Sequence, residues 1–452
     1  MIEVIILAAG KGTRMNSQLP KVMHPLAGKP FIEHVVTTAE NLMPDQIHLV
    51  LGHGAEVVQD YFIGRNLNTV LQTEQLGTGH AVAQALPSLH QDSTILILYG
   101  DVPLIQRDTL EKLLEQVNET SMGLLTVYLD NPTGYGRIIR NDEGEVRAIV
   151  EEKDATDDQK LIDEVNSGLM AVKTKHLNKW LPQLSDNNAQ GEYYLTDIIA
   201  LAAKDNVSVT AIAASHEYEV QGVNNREQQA DLERQVQLLI AQNLLASGVS
   251  LLDPNRFDCR GDISTGSDCV IDINCVFEGE VVLGDAVKIG PNCCIKNSKI
   301  SSGTVINAYT VVEDAVIETN CTLGPFARIR PGTVLSDGVK IGNFVETKKA
   351  VIGKGSKVNH LSYIGDAEVG ENVNIGAGTI TCNYDGANKF KTTIKNGVFV
   401  GSNTALVAPV TIGTDATIGA GSTITQDVED KGLAIARQKQ KTFSGWKRPT
   451  KK

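Results

Sequence analysis

The sequence predicts an α/β chain in two unlike halves: an N-terminal Rossmann-like layer of strands and helices, then a long linker helix, then a C-terminal parallel β-helix of hexapeptide repeats. Three observations predict it. Through about residue 220, strand-like apolar runs alternate with helical patterns. Residues 225–247 carry helical spacing without a proline. Beyond about residue 250, apolar residues recur at every sixth position.

In the first half, VIILAA, HLVLG, TILILYGD and GLLTVYL read as buried strands. Between them FIEHVVTTAENLM and TLEKLLEQVNE have helical spacing. Such alternation builds a mainly parallel sheet, and sheets of this kind bind ligands at the carboxyl ends of their strands. Two motifs fall at that edge: LAAGKGTRM at 7–15 and YGDVP at 99–103. The linker, NREQQADLERQVQLLIAQNLLASG, has Asn225 as its expected N-cap, Gln228 completing a capping box, and Gly248 after its end. The expected domains are therefore 1–224, the helix 225–247, and 248–452.

In the second half Ile271, Phe277, Leu283, Ile289 and Ile295 are six apart. So are Leu323, Ile329, Leu335 and Ile341, and again Ile394 through Val400, Leu406, Ile412 and Ile418 to Ile424. A small or β-branched residue stands four positions after many of them, and glycine often follows directly, as in LGDAVK and IGAGST. The large side chain fills a flat face, the small one a corner, and glycine a tight turn. Three hexapeptides make a coil, so residues 260–428 make roughly nine coils. Cys269, Cys275, Cys293 and Cys321 each fall two residues before a repeat residue and are expected as buried small hydrophobes. With seven cysteines and no CxxC pair, neither a disulfide framework nor a metal cluster is expected. The register breaks at 312–317, 364–369 and 381–393; the last, TCNYDGANKFKTT, is a polar loop on a rigid scaffold.

The formal net charge of -13 argues against general nucleic-acid binding. The start MIEVIILAAG has no basic segment, and no stretch approaches the length of a membrane span, so the expectation is a cytoplasmic protein without a membrane helix.

The glycine turn is neither of the two familiar phosphate motifs. It lacks GxxxxGK[ST], and Met15 stands where a dinucleotide fingerprint needs its third glycine. What remains is a turn with Lys11, Arg14 and, further on, Lys21: a cradle for some other phosphate, or a plain strand–loop–helix turn. Asp101 is a hard oxygen ligand at a strand end, or a turn residue before Pro103. Asn224 precedes a helix, where capping is the ordinary use. Glu151 stands beside Glu152, so a solvated charge run is its alternative. His360 is the only histidine between 217 and 452, and histidine is the natural base near neutral pH. A basic tail, Lys431 to Lys452, carries eight Lys or Arg and no acid; it is either solvated or a partner for phosphates.

LAAGKGTRM followed by LPKVMHPLAGKP resembles the sugar-nucleotide pyrophosphorylases. LQTEQLGTGHA, LYGDVPL, PTGYGRI, VEEKDA, VNSG, GEYYLTD and VQGVNN extend the likeness, in order, to the bifunctional bacterial members of that family, over essentially the whole chain. The resemblance implies two reactions. One acetylates glucosamine 1-phosphate with acetyl-CoA. The other transfers uridylyl from UTP to N-acetylglucosamine 1-phosphate, with Mg²⁺, and releases pyrophosphate. The product feeds peptidoglycan and lipopolysaccharide precursors.

It also implies sites. Leu7, Ala8, Ala9, Gly10 and Lys21 would contact the nucleotide, with Gln72, Gly77 and Thr78 at uracil and ribose, and Tyr99 and Gly100 beside Asp101. Gly136, Glu151 and Asn166 would hold the sugar, and Asp101 with Asn224 the metal. Lys11 and Arg14 are assigned to the β- and γ-phosphates on charge alone. In the solenoid His360 would be the acetyl-transfer base, with Arg330, Lys348, Tyr363 and Asn374 around the sugar phosphate. Ala377, Asn383, Tyr384, Ser402, Ala420 and Arg437 would contact acetyl-CoA. A left-handed coil and a homotrimer follow from the resemblance to hexapeptide acyltransferases. Two other readings stand beside this one: a single-function nucleotidyltransferase whose β-helix only oligomerises, and an inactive scaffold. His360, the NYDGANKF loop and Arg437 are superfluous in the first; Asp101 and Lys21 are superfluous in the second.

Overall fold

The computed structural model describes residues 1–451; the last tail cation, Lys452, lies outside the described residues. The chain forms two compact units, Met1–Val236 and Gln237–Lys452.

The first unit is built on a nine-stranded sheet: β1 (Ile2–Ala8), β2 (Gln46–Leu51), β3 (Asn68–Leu71), β4 (Thr94–Tyr99), β5 (Ser121–Tyr128), β6 (Arg137–Arg140), β7 (Val146–Val150), β8 (Glu164–Lys173) and β9 (Ser208–Ala213). Its order is β9-β5-β8-β4-β1-β2-β3, with β6 and β7 forming a side hairpin on β8. The central pairs are parallel, but β8 runs antiparallel to both β4 and β5. In β1, Val4, Ile6 and Ala8 face one core and Ile5 and Leu7 the other, so a strand covered on both sides reads as one apolar run. Helix Phe31–Glu40 supplies Val35 and Val36 to the first core; helix Thr78–Ala85 supplies Ala81 and Val82 to the second. Leu7 pairs with Val50 on one side and Tyr99 on the other, which brings the carboxyl ends of β1, β2 and β4 level.

The linker helix spans Arg226–Ala246. Asn225 Oδ1 accepts the N–H of Gln228 at 2.8 Å, as an N-cap should. The expected capping box does not close on itself, however. Gln228 Oε1 accepts the N–H of Asn224 at 2.8 Å, one residue further back. In the second unit Gln237 exchanges two hydrogen bonds of 2.7 Å with the backbone of Cys259. Ala241 and Leu244 join the solenoid core there, so the helix end covers the open edge of the first coil.

The solenoid follows the predicted period. One face is an eleven-stranded parallel ladder running from Ser250–Leu251 to Leu433–Ala434. Ile271, Ile289, Ile306, Leu323, Ile341, Val358, Ile375, Val400 and Ile418 stack along it in register. A fourteen-stranded sheet forms the rest. The four repeat cysteines are buried, and each thiol donates to a carbonyl of the next coil, Cys275 to Gly290 at 3.2 Å for example. Burial pushes the Cys275 thiol up to about 12, and those of Cys293 and Cys321 to about 11, so they are unreactive packing groups.

The register breaks have a geometric cause. At 312–317 and 364–369 a corner closes in five residues instead of six, and Asp314 and Asp366 turn it in the left-handed region at φ 43° and 45°. The same device operates at Asn297 and Lys349, between Ile295 and Ile300 and between Thr347 and Ile352. Periodicity singled out neither of these two corners; at the second, Thr347, a polar residue, occupies the core position. No helix among the described residues is long and apolar enough to cross a membrane.

Candidate functional site

The turn after β1 is shaped by close backbone approach. Gly12 sits at φ 60°, and a Cβ there would lie 2.6 Å from Lys21 Cβ. Its lack of a side chain lets Lys21 reach the carboxyl edge of the sheet. Across the mouth, Gly77 sits at φ 113°, where a Cβ would meet the Tyr193 carbonyl oxygen at 2.6 Å. Gly77→Ala is therefore expected to lower the melting temperature and to weaken binding of any ligand held at this mouth by an order of magnitude or more; thermal melts and ligand titrations check it.

Between these turns lies a cavity of about 320 Å³. Leu7 to Lys11, Lys21, Gln72, Gly77, Thr78, Tyr99 and Asp101 line it, joined by Val22, Gln75, Ala81 and Glu192, which sequence reasoning did not single out. Gln75 lies in LQTEQLGTGHA, three residues from Gln72, and nothing in its type sets it apart from an ordinary loop amide. Gly100 lies behind the wall, its N–H donating to the Leu7 carbonyl at 2.9 Å. Gln72 is buried, and its amide nitrogen donates to the Gly77 carbonyl at 3.1 Å, so the amide is held in one orientation. Burial pushes the Tyr99 phenol well above its usual range, and its hydroxyl bonds to Thr78.

A second cavity, about 350 Å³, adjoins the first and shares Tyr99 and Asp101 with it. Gly136, Glu151, Asn166, Asn224 and Arg14 line it, with the 133–135 turn and Ser167–Gly168. The paired glutamates separate here. Glu151 accepts from the Thr196 hydroxyl at 3.1 Å, and burial raises its pKa, aided by the charges of Asp154 and Asp197. Glu152 turns the other way, onto the buried Arg137 at 2.7 Å and the N–H of Gly134 at 3.3 Å. Arg137 also donates to the Tyr135 carbonyl, so the pair clamps the turn that roofs this cavity. Glu152→Gln is expected to lower kcat/KM for the substrate that occupies this cavity by about ten- to hundred-fold, with KM for the occupant of the first cavity near wild type. Steady-state kinetics in each substrate would show it, and an unchanged kcat/KM for the occupant of this cavity would refute the clamp.

At the junction of the two cavities four polar groups converge. The Lys21 ammonium contacts the Asp101 carboxylate and donates to Asn224 Oδ1 at 2.7 Å. Arg14 donates to the same Asn224 oxygen at 3.0 Å. Asn224 is thus not the helix cap; Asn225 is. The two assigned phosphate cations part company, Lys11 to the first cavity and Arg14 to the second. Among the described residues no cluster of three or more His, Cys, Asp or Glu could hold a metal. Asp101 and Asn224 nonetheless fit Mg²⁺. They are two hard oxygens that already share one cation, and Mg²⁺ takes few protein ligands, completing its shell with water and phosphate oxygens.

On the solenoid, strand ends set the geometry. Val358, Ile375, Val400 and Ile418 stack in register, and two residues beyond each stand His360, Ala377, Ser402 and Ala420, one per coil along one corner. Arg437 reaches this column by donating to the Ala420 carbonyl. His360 is exposed, and its Nδ1 lies 3.0 Å from Asn343 Oδ1 in the coil below. Around the corner Tyr363 opens strand Tyr363–Val369, while Asn374 lies on the His360 face in register with Lys357. Lys348 sits against Lys389, whose hydrogen bond and charge hold the Lys348 pKa below the usual lysine range, with Arg330 adding to the effect. Arg330 itself pairs with Glu346 at 2.6 Å. Lys389 comes from the polar loop, inside NYDGANKF, and only folding places it on Lys348. In that loop Asn383 is buried and donates to Asp366, and Tyr384 is exposed, its hydroxyl 2.5 Å from the Gly386 carbonyl.

Comparison with known proteins gives three domain matches: a MobA-like NTP transferase domain over residues 4–145, a GMPPB C-terminal domain over 259–352, and bacterial transferase hexapeptide (six repeats) over 391–426. Three full-length relatives carry the name Bifunctional protein GlmU. That of Cellvibrio japonicus is 61% identical over 452 residues, covering 100% of both chains. That of Saccharophagus degradans is 62% identical over 452 residues, again covering 100% of both. That of Marinobacter nauticus is 58% identical over 450 residues, covering 100% of this chain and 99% of its own.

Proposed function

The chain belongs to the bifunctional GlmU family, and from that membership we propose how its residues divide two reactions. It is an N-acetylglucosamine-1-phosphate uridyltransferase and a glucosamine-1-phosphate acetyltransferase, with UTP and acetyl-CoA as co-substrates and Mg²⁺ as cofactor, in the synthesis of UDP-N-acetylglucosamine for the cell wall. The proposed domains are 1–224 for uridylyl transfer, a linker helix at 225–247, and 248–452 for acetyl transfer.

The observation that carries the uridylyl site is the convergence of Lys21, Asp101 and Asn224 where two cavities meet. UTP is assigned to the first cavity, its uracil at Gln72, whose fixed amide suits a base edge that alternates acceptors with a donor. The sugar phosphate is assigned to the second, against Gly136, Glu151 and Asn166. A phosphate oxygen of the sugar attacks the α-phosphorus, the bond to the β-phosphate breaks, and pyrophosphate leaves. Lys21, with Lys11 and Arg14, holds the phosphates and offsets their charge. Asp101 and Asn224 would hold Mg²⁺, which supplies charge neutralisation on the triphosphate.

In the solenoid, the amine of glucosamine 1-phosphate attacks the thioester carbonyl. The N–C bond forms, the C–S bond breaks, the amine proton passes to His360, and the CoA sulfur leaves and takes up a proton. Arg330, Lys348, Tyr363 and Asn374 are assigned to the sugar phosphate, and Ala377, Asn383, Tyr384, Ser402, Ala420 and Arg437 to acetyl-CoA. Paired assays test the whole reading: pyrophosphate release with UTP and N-acetylglucosamine 1-phosphate, and CoA release with glucosamine 1-phosphate. Absence of CoA release from the wild type would reduce the solenoid to an assembly device.

The proposed homotrimer has one support of its own. Tyr309, Phe326 and Phe344 stack on successive coils at centroid distances of 4.9 and 5.3 Å, and all three are about half exposed. An aromatic column in water is the kind of surface that assembly covers. Sedimentation of Phe344→Glu should show a smaller species than wild type; an unchanged trimer would remove this column from the interface. A cytoplasmic location is proposed on the same family basis.

A further inference from the structure

His360 is assigned above as a base, but an exposed imidazole is a base at a given place only if its tautomer and ring orientation are held. The solenoid supplies a holder that the family likeness did not single out. Strands Lys340–Asn343 and Lys357–His360 pair in parallel, with Lys340 on Lys357, Ile341 on Val358, and Asn343 on His360. Asn343 is thus the residue directly below His360 in the stack, and its Oδ1 lies 3.0 Å from the imidazole Nδ1. The backbone makes room for this pair. At Gly342 a Cβ would lie 1.9 Å from the Asn359 carbonyl oxygen, so the two coils approach more closely there than any side chain allows.

We propose that Asn343 is a positioning residue for acetyl transfer: it holds His360 in the Nδ1–H tautomer, with Nε2 turned outward as the proton acceptor. A carbonyl oxygen can only accept, so Nδ1 must donate and the lone pair resides on Nε2. The same Nδ1–H bond survives when Nε2 takes the amine proton, so the ring does not reorient during the step. Asn343 cannot itself ionise, which distinguishes this pair from a carboxylate–histidine dyad. The His360 carbonyl accepts from the Ser362 hydroxyl at 2.8 Å and from the Gly378 N–H at 3.4 Å. The charged and titratable groups on the elements around it are Lys340 and Lys357, three residues back in the paired strands, and Tyr363 and Glu346 beyond the corner. Among the described residues none of these makes an ion pair or hydrogen bond with the imidazole.

The inference rests on His360 being the base, and the experiment separates the two. Acetyl transfer is measured from pH 5 to 9 for wild type, Asn343→Ala, Asn343→Asp and His360→Ala, with pyrophosphate release and a thermal melt as folding controls. Asn343→Ala should lose about ten- to hundred-fold in kcat with each KM within about threefold of wild type. Asn343→Asp is nearly isosteric and tests the geometry without a cavity. Its carboxylate against Nδ1 favours the imidazolium and raises the histidine pKa. A base works only when deprotonated, so the acid limb of the kcat/KM profile should move up by about one pH unit. A purely structural role would not move that limb. Wild-type kcat in Asn343→Ala, or an unmoved limb in Asn343→Asp, overturns the inference while leaving His360 as base. Full activity in His360→Ala overturns the base assignment, and this inference with it.

Discussion

His360→Ala is expected to cut CoA release from acetyl-CoA and glucosamine 1-phosphate by about 10³-fold, within the range a general base contributes, while pyrophosphate release from UTP and N-acetylglucosamine 1-phosphate stays within about twofold of wild type. The asymmetry follows from the architecture. His360 belongs to the unit that begins at Gln237, whereas every residue lining the two N-terminal cavities lies before Val236. The imidazole is exposed at a solenoid corner and supports no core, so its removal leaves no packing defect to spread. Both activities falling together would mean that the variant had unfolded or that the sites are coupled. Acetyl transfer at wild-type rate would mean that another group, or solvent, takes the amine proton.

Asp101→Ala is expected to do the converse. It removes one of the two oxygens that converge on Lys21 and leaves that ammonium against Asn224 alone. Removing a preorganised electrostatic group of this kind costs about 10²–10³-fold in kcat, and loss of the metal's anionic ligand acts in the same direction. Pyrophosphate release should fall by about 10³-fold, more Mg²⁺ should be needed to reach half-maximal rate, and CoA release should remain. Chelation of divalent ions with EDTA should reproduce the same selective loss in the wild type. If Asp101→Ala loses rate without any change in Mg²⁺ dependence, Asp101 orients Lys21 rather than holding metal.

How much of this was legible in the chain differs between its halves. The solenoid was legible because its core repeats: each coil buries side chains at the same phase, so a period in sequence is a column in space. Even four of the seven cysteines fell into that phase. The five-residue corners at Asn297 and Lys349 were not read from the chain; at the second, Thr347 fills a core position with a polar residue and a lysine rarely adopts a left-handed turn. In the first half the strands and the glycine turn could be read locally. The antiparallel course of β8 could not, since strand direction depends on which partner it finds.

The sites divide in the same way. The sequence by itself determined the period of the solenoid, the glycine turn that admits Lys21, the single histidine available as a base in the second unit, and, through the order of its motifs, the residues expected at each site. Only the tertiary structure decided which of two adjacent glutamates faces the second cavity and which clamps Arg137. It set Asn224, one residue before the expected cap Asn225, against Lys21 across a separation of 203 residues. It also set Lys389 against Lys348 and Asn343 under His360. The reason is physical: periodicity and turn chemistry act between near neighbours, whereas a polar contact between distant residues exists only once the backbone around both has been fixed by packing.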